Sequence, residues 1–203
     1  VQYIAEVAPG ASTTKTFGGD GIETFVFFLD GEGELTVNIG NEEKKLTQGG
    51  YAFAPAELGI NMKNKSEGTM RILLYKQIYI PLEGKSARIV FGNVNDIKER
   101  IYDDMENVFI TDLLPVEIGF DMNMHILSFE PDGCHPFVET HVQEHGAYLM
   151  QGQGIYLLGD EWVQVMKEDF IWFGPFMQQA VYTTGRERLT YIYSKDCNRD
   201  VIL

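Results

Sequence analysis

Histidine is missing from the first 124 residues of this 203-residue chain, and all four copies lie between His125 and His145. An N-terminal half without imidazole offers no nitrogen site for a metal ion. Cysteine is nearly as scarce, with only Cys134 and Cys197. Two cysteines cannot make the disulfide framework of a small secreted scaffold, so reduced thiols in a cytoplasm are expected. No apolar run approaches the roughly 20 residues of a membrane span. No charged stretch followed by a hydrophobic one opens the chain, which begins at Val1 in strand-like residues. Positive charge is short as well: 16 Lys and Arg stand against 30 Asp and Glu, a formal net charge of -14. Repulsion at that imbalance opposes encounter with phosphate backbones or anionic membranes, and both partner classes are excluded.

Helical periodicity is almost absent too. Short runs rich in aromatic and β-branched residues take its place, among them "IETFVFFLD", "ELTVNIG", "MRILLYKQIYI", "GAYLMQG" and "RLTYIYSK". Gly, Asn, Asp and Pro punctuate the gaps, which argues for an all-β sandwich or barrel. One helix is expected, over "NDIKERIYDDMENV" from Asn95 to Val108, with an Asn at its start and Ile97 and Ile101 on one face. The two halves share three landmarks in one order. Gly33 to Pro55 spans 22 positions against 21 for Gly154 to Pro175, and Pro55 to Tyr75 spans 20 against 18 for Pro175 to Tyr193. Duplication accounts for that better than shared turn grammar. The expected organisation is an N-terminal barrel over residues 1–76, a connector over 77–121 and a C-terminal barrel over 122–203.

The densest chemistry is "ETHVQEHG", from Glu139 to Gly146. In a strand, residues i and i+2 share a face, so Glu139 and His141 are expected to project together from "VETHV". A turn then lets His145 point back across them. One carboxylate and two imidazoles converging inside a barrel suit a divalent ion. A ligand set of nitrogen and oxygen without thiolate leans toward manganese or iron, with zinc possible.

These residues meet a family pattern. The cupin signature is Gly, five residues, His-x-His, three or four residues, Glu, six residues, Gly. Here it reads Gly133, five residues, Glu139-x-His141, three residues, His145, six residues, Gly152, with a His and the Glu exchanged. The second cupin motif resembles "DFIWFGPFMQQAVYTTG", with Pro175 in place and Gln178 or Gln179 where the fourth ligand should stand. The first half keeps that motif's frame from Gly49 through Pro55 and Gly59, but Asn61 occupies the ligand position. The chain therefore resembles a bicupin, two tandem cupin (double-stranded β-helix, jelly-roll) barrels, with an empty first barrel.

Most of the chain, above all "HPFVETHVQEHGAYLMQGQGIYLLGDEW" and "TYIYSKDCNRD", is similar to the (S)-ureidoglycine aminohydrolase family. That resemblance implies hydrolysis of (S)-ureidoglycine to (S)-ureidoglycolate and ammonia, in purine and allantoin breakdown. It implies one manganese ion per chain in the C-terminal barrel, held by Glu139, His141, His145 and Gln179. It further implies that Tyr156, Tyr191, Lys195 and Gln179 contact the substrate, with Lys195 and Tyr191 nearest the chemistry. The family usually has more chain before its first barrel.

Other readings of the same residues stand beside this one. A facial-triad oxygenase would use two His and one carboxylate with open positions, one of which Gln179 would fill. An isomerase or a non-catalytic small-molecule-binding bicupin are further alternatives. His125 reads as a packed or surface strand residue, His135 as lining an entrance, Glu144 as solvated and Cys134 as without a role. Met150, Met166 and Met177 read as barrel filler. Unpaired strand edges in a β-rich chain suggest a homo-oligomer, with the degenerate barrel as candidate interface.

Overall fold

The computed structural model describes residues 1–196, 198 and 199; the thiol expected at Cys197 lies outside them. The chain divides into two compact units, Val1–Ile97 and Lys98–Leu203. Among the described residues each unit carries nine strands, and the only helical element is a short 3-10 turn, Val94–Asp96. Every strand pairing is antiparallel within a unit. The all-β expectation holds, and each unit has the two-sheet build of a cupin barrel.

The first unit contains β1 (Gln2–Val7), β2 (Phe17–Gly18), β3 (Ile22–Asp30), β4 (Leu35–Ile39), β5 (Glu42–Leu46), β6 (Gly50–Ala54), β7 (Gly59–Asn64), β8 (Met70–Ile78) and β9 (Val90–Asn93). Its sheets run β1-β8-β3-β6-β9 and β2-β7-β4-β5. Alternate residues of each strand enter the space between them: Val26 and Phe28 from β3 meet Val37 and Ile39 from β4, Ile60 from β7 and Ile72 from β8. Aliphatic side chains fill that interior. Asn61 lies between the inward-facing Ile60 and Met62, and its Oδ1 accepts a hydrogen bond from Thr13 Oγ1 at 3.2 Å. It stitches a surface loop to β7.

The second unit contains β10 (Arg100–Tyr102), β11 (Met105–Asp112), β12 (Asn123–Phe129), β13 (His145–Gln151), β14 (Gln153–Leu158), β15 (Glu161–Met166), β16 (Phe170–Phe173), β17 (Gln179–Thr183) and β18 (Leu189–Lys195). The large sheet runs β10-β11-β12-β18-β13-β16 and the small one β15-β14-β17. The motif glycine Gly152 makes the turn from β13 to β14 at φ +77°, where a Cβ would sit 2.3 Å from the Arg188 carbonyl oxygen. Only glycine fits that turn.

The helix expected over Asn95 to Val108 does not form. Asn93 Oδ1 accepts from the Asn95 N–H at 2.9 Å and caps the 3-10 turn, which ends at the extended Ile97. The chain then enters β10, and Asp103 and Asp104, both at positive φ, make a two-residue hairpin into β11. Two consecutive left-handed residues suit the twist of a tight hairpin and stop a helix. The span 77–121, expected as a connector, thus carries β9, paired to β6 in the first unit, and β10 and β11, paired towards β12 in the second.

Candidate metal and substrate site

The site lies inside the second unit. His145 opens β13, and Tyr191, Tyr193 and Lys195 occupy alternate positions of β18, so one strand face carries all three. His145 and Lys195 flank the Gly146–Ser194 pair of the β13–β18 ladder. Tyr156 enters from β14 and Gln179 from the first position of β17.

The expected strand through "VETHV" is not there. Glu139 forms an isolated bridge with Gln179, the two N–H groups donating to each other's carbonyls at 3.0 and 2.9 Å. The His141 carbonyl then accepts from the Phe176 N–H at 2.7 Å. The segment's backbone therefore follows the turn before β17 and joins no sheet. Both backbone groups of Glu139 and the His141 carbonyl find their partners in that turn and at the start of β17, and these contacts bring Glu139 and His141 to Gln179.

His141 Nε2 lies 2.9 Å from His145 Nε2, and Gln179 Nε2 lies 2.8 Å from the same His141 atom. The rings of His141 and His145 meet edge to face at 4.6 Å. Burial, then the Lys195 charge, pushes His145 down to about 3 and lowers His141 as well. Both imidazoles are neutral at pH 7, the form that donates a lone pair to a metal. Three polar atoms about 3 Å apart match neighbouring ligands of an ion with bonds of about 2.1 Å. The Gln179 amide brings its oxygen to that place by a half turn about its last bond. The residues fit a divalent ion, with one difference from the expected set. The Glu139 carboxylate stands toward His135, with Oε1 4.0 Å from Nε2. Among the described residues no three His, Cys, Asp or Glu side chains converge on one point. Burial raises the Glu139 carboxyl above the usual range, and the Lys195 charge opposes that rise.

Beside these groups is a small cavity open to solvent, whose wall includes Glu139, His145, Tyr156, Gln179, Tyr191 and Lys195. The Tyr156 and Tyr191 hydroxyls are 3.2 Å apart. Burial drives both phenols upward, so they stay protonated. Of the two candidate glutamines, Gln179 is buried and faces the cavity, and Gln178 is exposed.

Tyr102 and Phe173 also line the cavity and were not anticipated from the sequence, and Tyr193 joins them from the same face of β18 as Tyr191. The phase of Tyr193 with Tyr191 was visible in "TYIYSK", but Tyr102 arrives through a hairpin read as helix. His125 is buried and outside the wall, its Nδ1 2.7 Å from Asp112 Oδ1, with Arg100 Nη2 3.0 Å from the same carboxylate. His135, read as lining an entrance, is instead buried in the cavity wall, and Glu144 is exposed. Cys134 is a free thiol. Met177 packs against the core, whereas Met166 is 48% exposed and fills no barrel, because it lies on the outer face of β15.

No protein-family model matches the chain. It is 43% identical over 202 residues to the (S)-ureidoglycine aminohydrolase of Escherichia coli (strain K12), covering 99% of this chain and 77% of that protein. The crystal structure of protein Ylba from E. coli superposes with a TM-score of 0.87 at 40% identity, over 100% of this chain and 78% of that one. The Bacillus subtilis oxalate decarboxylase, a protein with Mn(II) centres, superposes with a TM-score of 0.68 at 13% identity, over 98% of this chain and 69% of that one. The last likeness concerns the fold alone. No helix among the described residues is long and apolar enough to cross a membrane.

Proposed function

Since the chain belongs to the (S)-ureidoglycine aminohydrolase family, we propose that it hydrolyses the amine-bearing C–N bond of (S)-ureidoglycine, giving (S)-ureidoglycolate and ammonia. The observation that carries this reading is the meeting of His141, His145 and Gln179 at the edge of a cavity lined by Lys195 and a tyrosine pair. Glu139, His141, His145 and Gln179 would hold one manganese ion in the C-terminal barrel, and that ion would supply Lewis-acid chemistry to the reaction.

The chain's own residues do the rest. The Lys195 ammonium pairs with the substrate carboxylate and fixes which face of the carbon is presented. Tyr191, held protonated by burial and hydrogen-bonded to Tyr156, donates toward the ureido oxygen. The Gln179 amide, sharing its backbone bridge with Glu139, orients the same substrate group. Phe173 and Leu127 exclude bulk water from that wall, which strengthens each of these contacts. Water replaces the amine at one carbon: one C–N bond breaks, one C–O bond forms, and the nitrogen leaves with the proton it needs.

A homo-oligomer completes the reading. Among the described residues β1 leaves a sheet edge unpaired, with Tyr3 47% and Ile4 39% exposed, and sedimentation would read the association state. The free Cys134 thiol accords with a cytoplasmic location.

The test is ammonia release from (S)-ureidoglycine generated in place from allantoate, before and after chelation. Release that needs manganese and yields one enantiomer of ureidoglycolate is the expected result. Release no faster than the spontaneous rate, from a folded and metal-loaded chain, would sink the assignment.

A further inference from the structure

His135 is 3% exposed and lines the cavity, yet among the described residues its Nδ1 has no hydrogen-bond partner and its Nε2 stands 4.0 Å from Glu139 Oε1. Its placement is firm. The His135 N–H donates to the Val181 carbonyl at 3.0 Å, and the ring stands edge-on to Phe129 at 5.1 Å and 76°. Nδ1 is sealed from solvent without a partner. Nε2 faces the Glu139 carboxylate at 4.0 Å, too far for a direct bond. A buried polar group without a partner costs about 1–3 kcal/mol, so its retention calls for a partner in another state of the site.

The tautomer follows from the surroundings. A neutral imidazole carries one N–H. An N–H on the sealed Nδ1 would be orphaned, and orphaned buried donors are rarer than orphaned acceptors. The proton therefore sits on Nε2, aimed at Glu139. A carboxylate that ligates a metal through one oxygen has a second oxygen left over, and such oxygens are themselves hydrogen-bonded.

We propose that His135 is the positioning residue for Glu139: its Nε2–H takes the outer carboxylate oxygen and so turns the inner one toward His141 and His145. The proposal rests on the metal site described under the proposed function. It also accounts for the carboxylate's stance toward His135.

The experiment is titration of the metal-freed full chain with manganese alone, for the parent, H135Q, H135L, E139A and the double variant E139A/H135L. Glutamine keeps an N–H donor near the Nε2 position, and leucine keeps only bulk. H135L should weaken manganese binding 10- to 100-fold, and H135Q should stay within about threefold of the parent. On the E139A background, where the weakened binding is read at millimolar manganese through the remaining ligands, H135L should add nothing, because its partner is already gone. Equal losses for H135Q and H135L, or the same loss with and without Glu139, would show a merely structural role and overturn the proposal. Parental manganese affinity in H135L with a raised KM would make His135 a substrate contact, which also overturns it. Should E139A itself bind manganese like the parent, the metal assignment fails first, and that failure is distinguishable from the others.

Discussion

Lys195→Met isolates the step in which the substrate is captured. Methionine nearly matches the lysine stem in length and leaves no orphaned donor, so the end of β18 should keep its packing. The cavity loses a half-buried cation that faces the expected position of the substrate carboxylate. Removing one partner of a desolvated, hydrogen-bonded ion pair costs about 2–5 kcal/mol, and the mouth of this cavity is open to water, so the lower half applies. About 3 kcal/mol corresponds to roughly a hundredfold in kcat/KM, carried mainly by KM. Manganese binding should move the opposite way. Lys195 is a charge that lowers both His141 and His145, so it repels a cation at the same place. Its removal should leave manganese affinity unchanged or tighter. Initial rates of ammonia release over a range of substrate concentrations, with a parallel manganese titration, give both numbers. A variant with parental KM, or one that has lost its metal, would refute the reasoning.

Three further outcomes follow from the structure. Glu139→Ala and His141→Ala should each lose manganese and activity while the metal-free protein keeps its thermal midpoint to within a few degrees; full metal stoichiometry in either variant would count against that ligand. The metal-free chain should lose stability as pH falls, because His145 is lowered to about 3 and His135 to about 4 by burial, while the unfolded chain binds those protons near 6.5. Stability then declines from about pH 6.5 downward by about 1.4 kcal/mol per pH unit for each ring. The raised Glu139 carboxyl works with the opposite sign, and His145→Phe should flatten the thermal-midpoint profile. Gly152→Ala combines a left-handed backbone with a Cβ 2.3 Å from a carbonyl oxygen, and urea unfolding should show a loss of at least about 2 kcal/mol. A loss below about 0.5 kcal/mol would mean the turn can relax.

Much of the fold was legible because its signals are local. The aromatic and β-branched run in "IETFVFFLD" reads as a strand, whose period of two places Val26 and Phe28 on one face whatever the neighbouring strands are, and β3 turns both into the core. Gly152 was legible as a motif glycine, and its crowded turn shows why the motif needs it. The segment from Asn95 to Val108 was misread because Ile97 and Ile101 fit a helical spacing, while the deciding residues, Asp103 and Asp104, act through a left-handed hairpin. Nothing in residue type alone separates two aspartates on a helix surface from two in a tight turn.

The proposed ligand side chains could be chosen at the level of sequence: two imidazoles, a carboxylate and an amide, at spacings that one strand start and one turn could bring together. Donor chemistry and the phase of Tyr191, Tyr193 and Lys195 are properties of the chain itself, because side-chain direction along a strand repeats every second residue. The tertiary structure decided the rest. It bound Glu139 to Gln179 through a backbone bridge in place of a strand, brought Tyr102 over the cavity, and buried His135 beside the carboxylate. The Glu139–Gln179 bridge and the arrival of Tyr102 join residues far apart in the chain, and His135, only four residues before Glu139, is held in place by the distant Val181 carbonyl; no local pattern encodes these contacts.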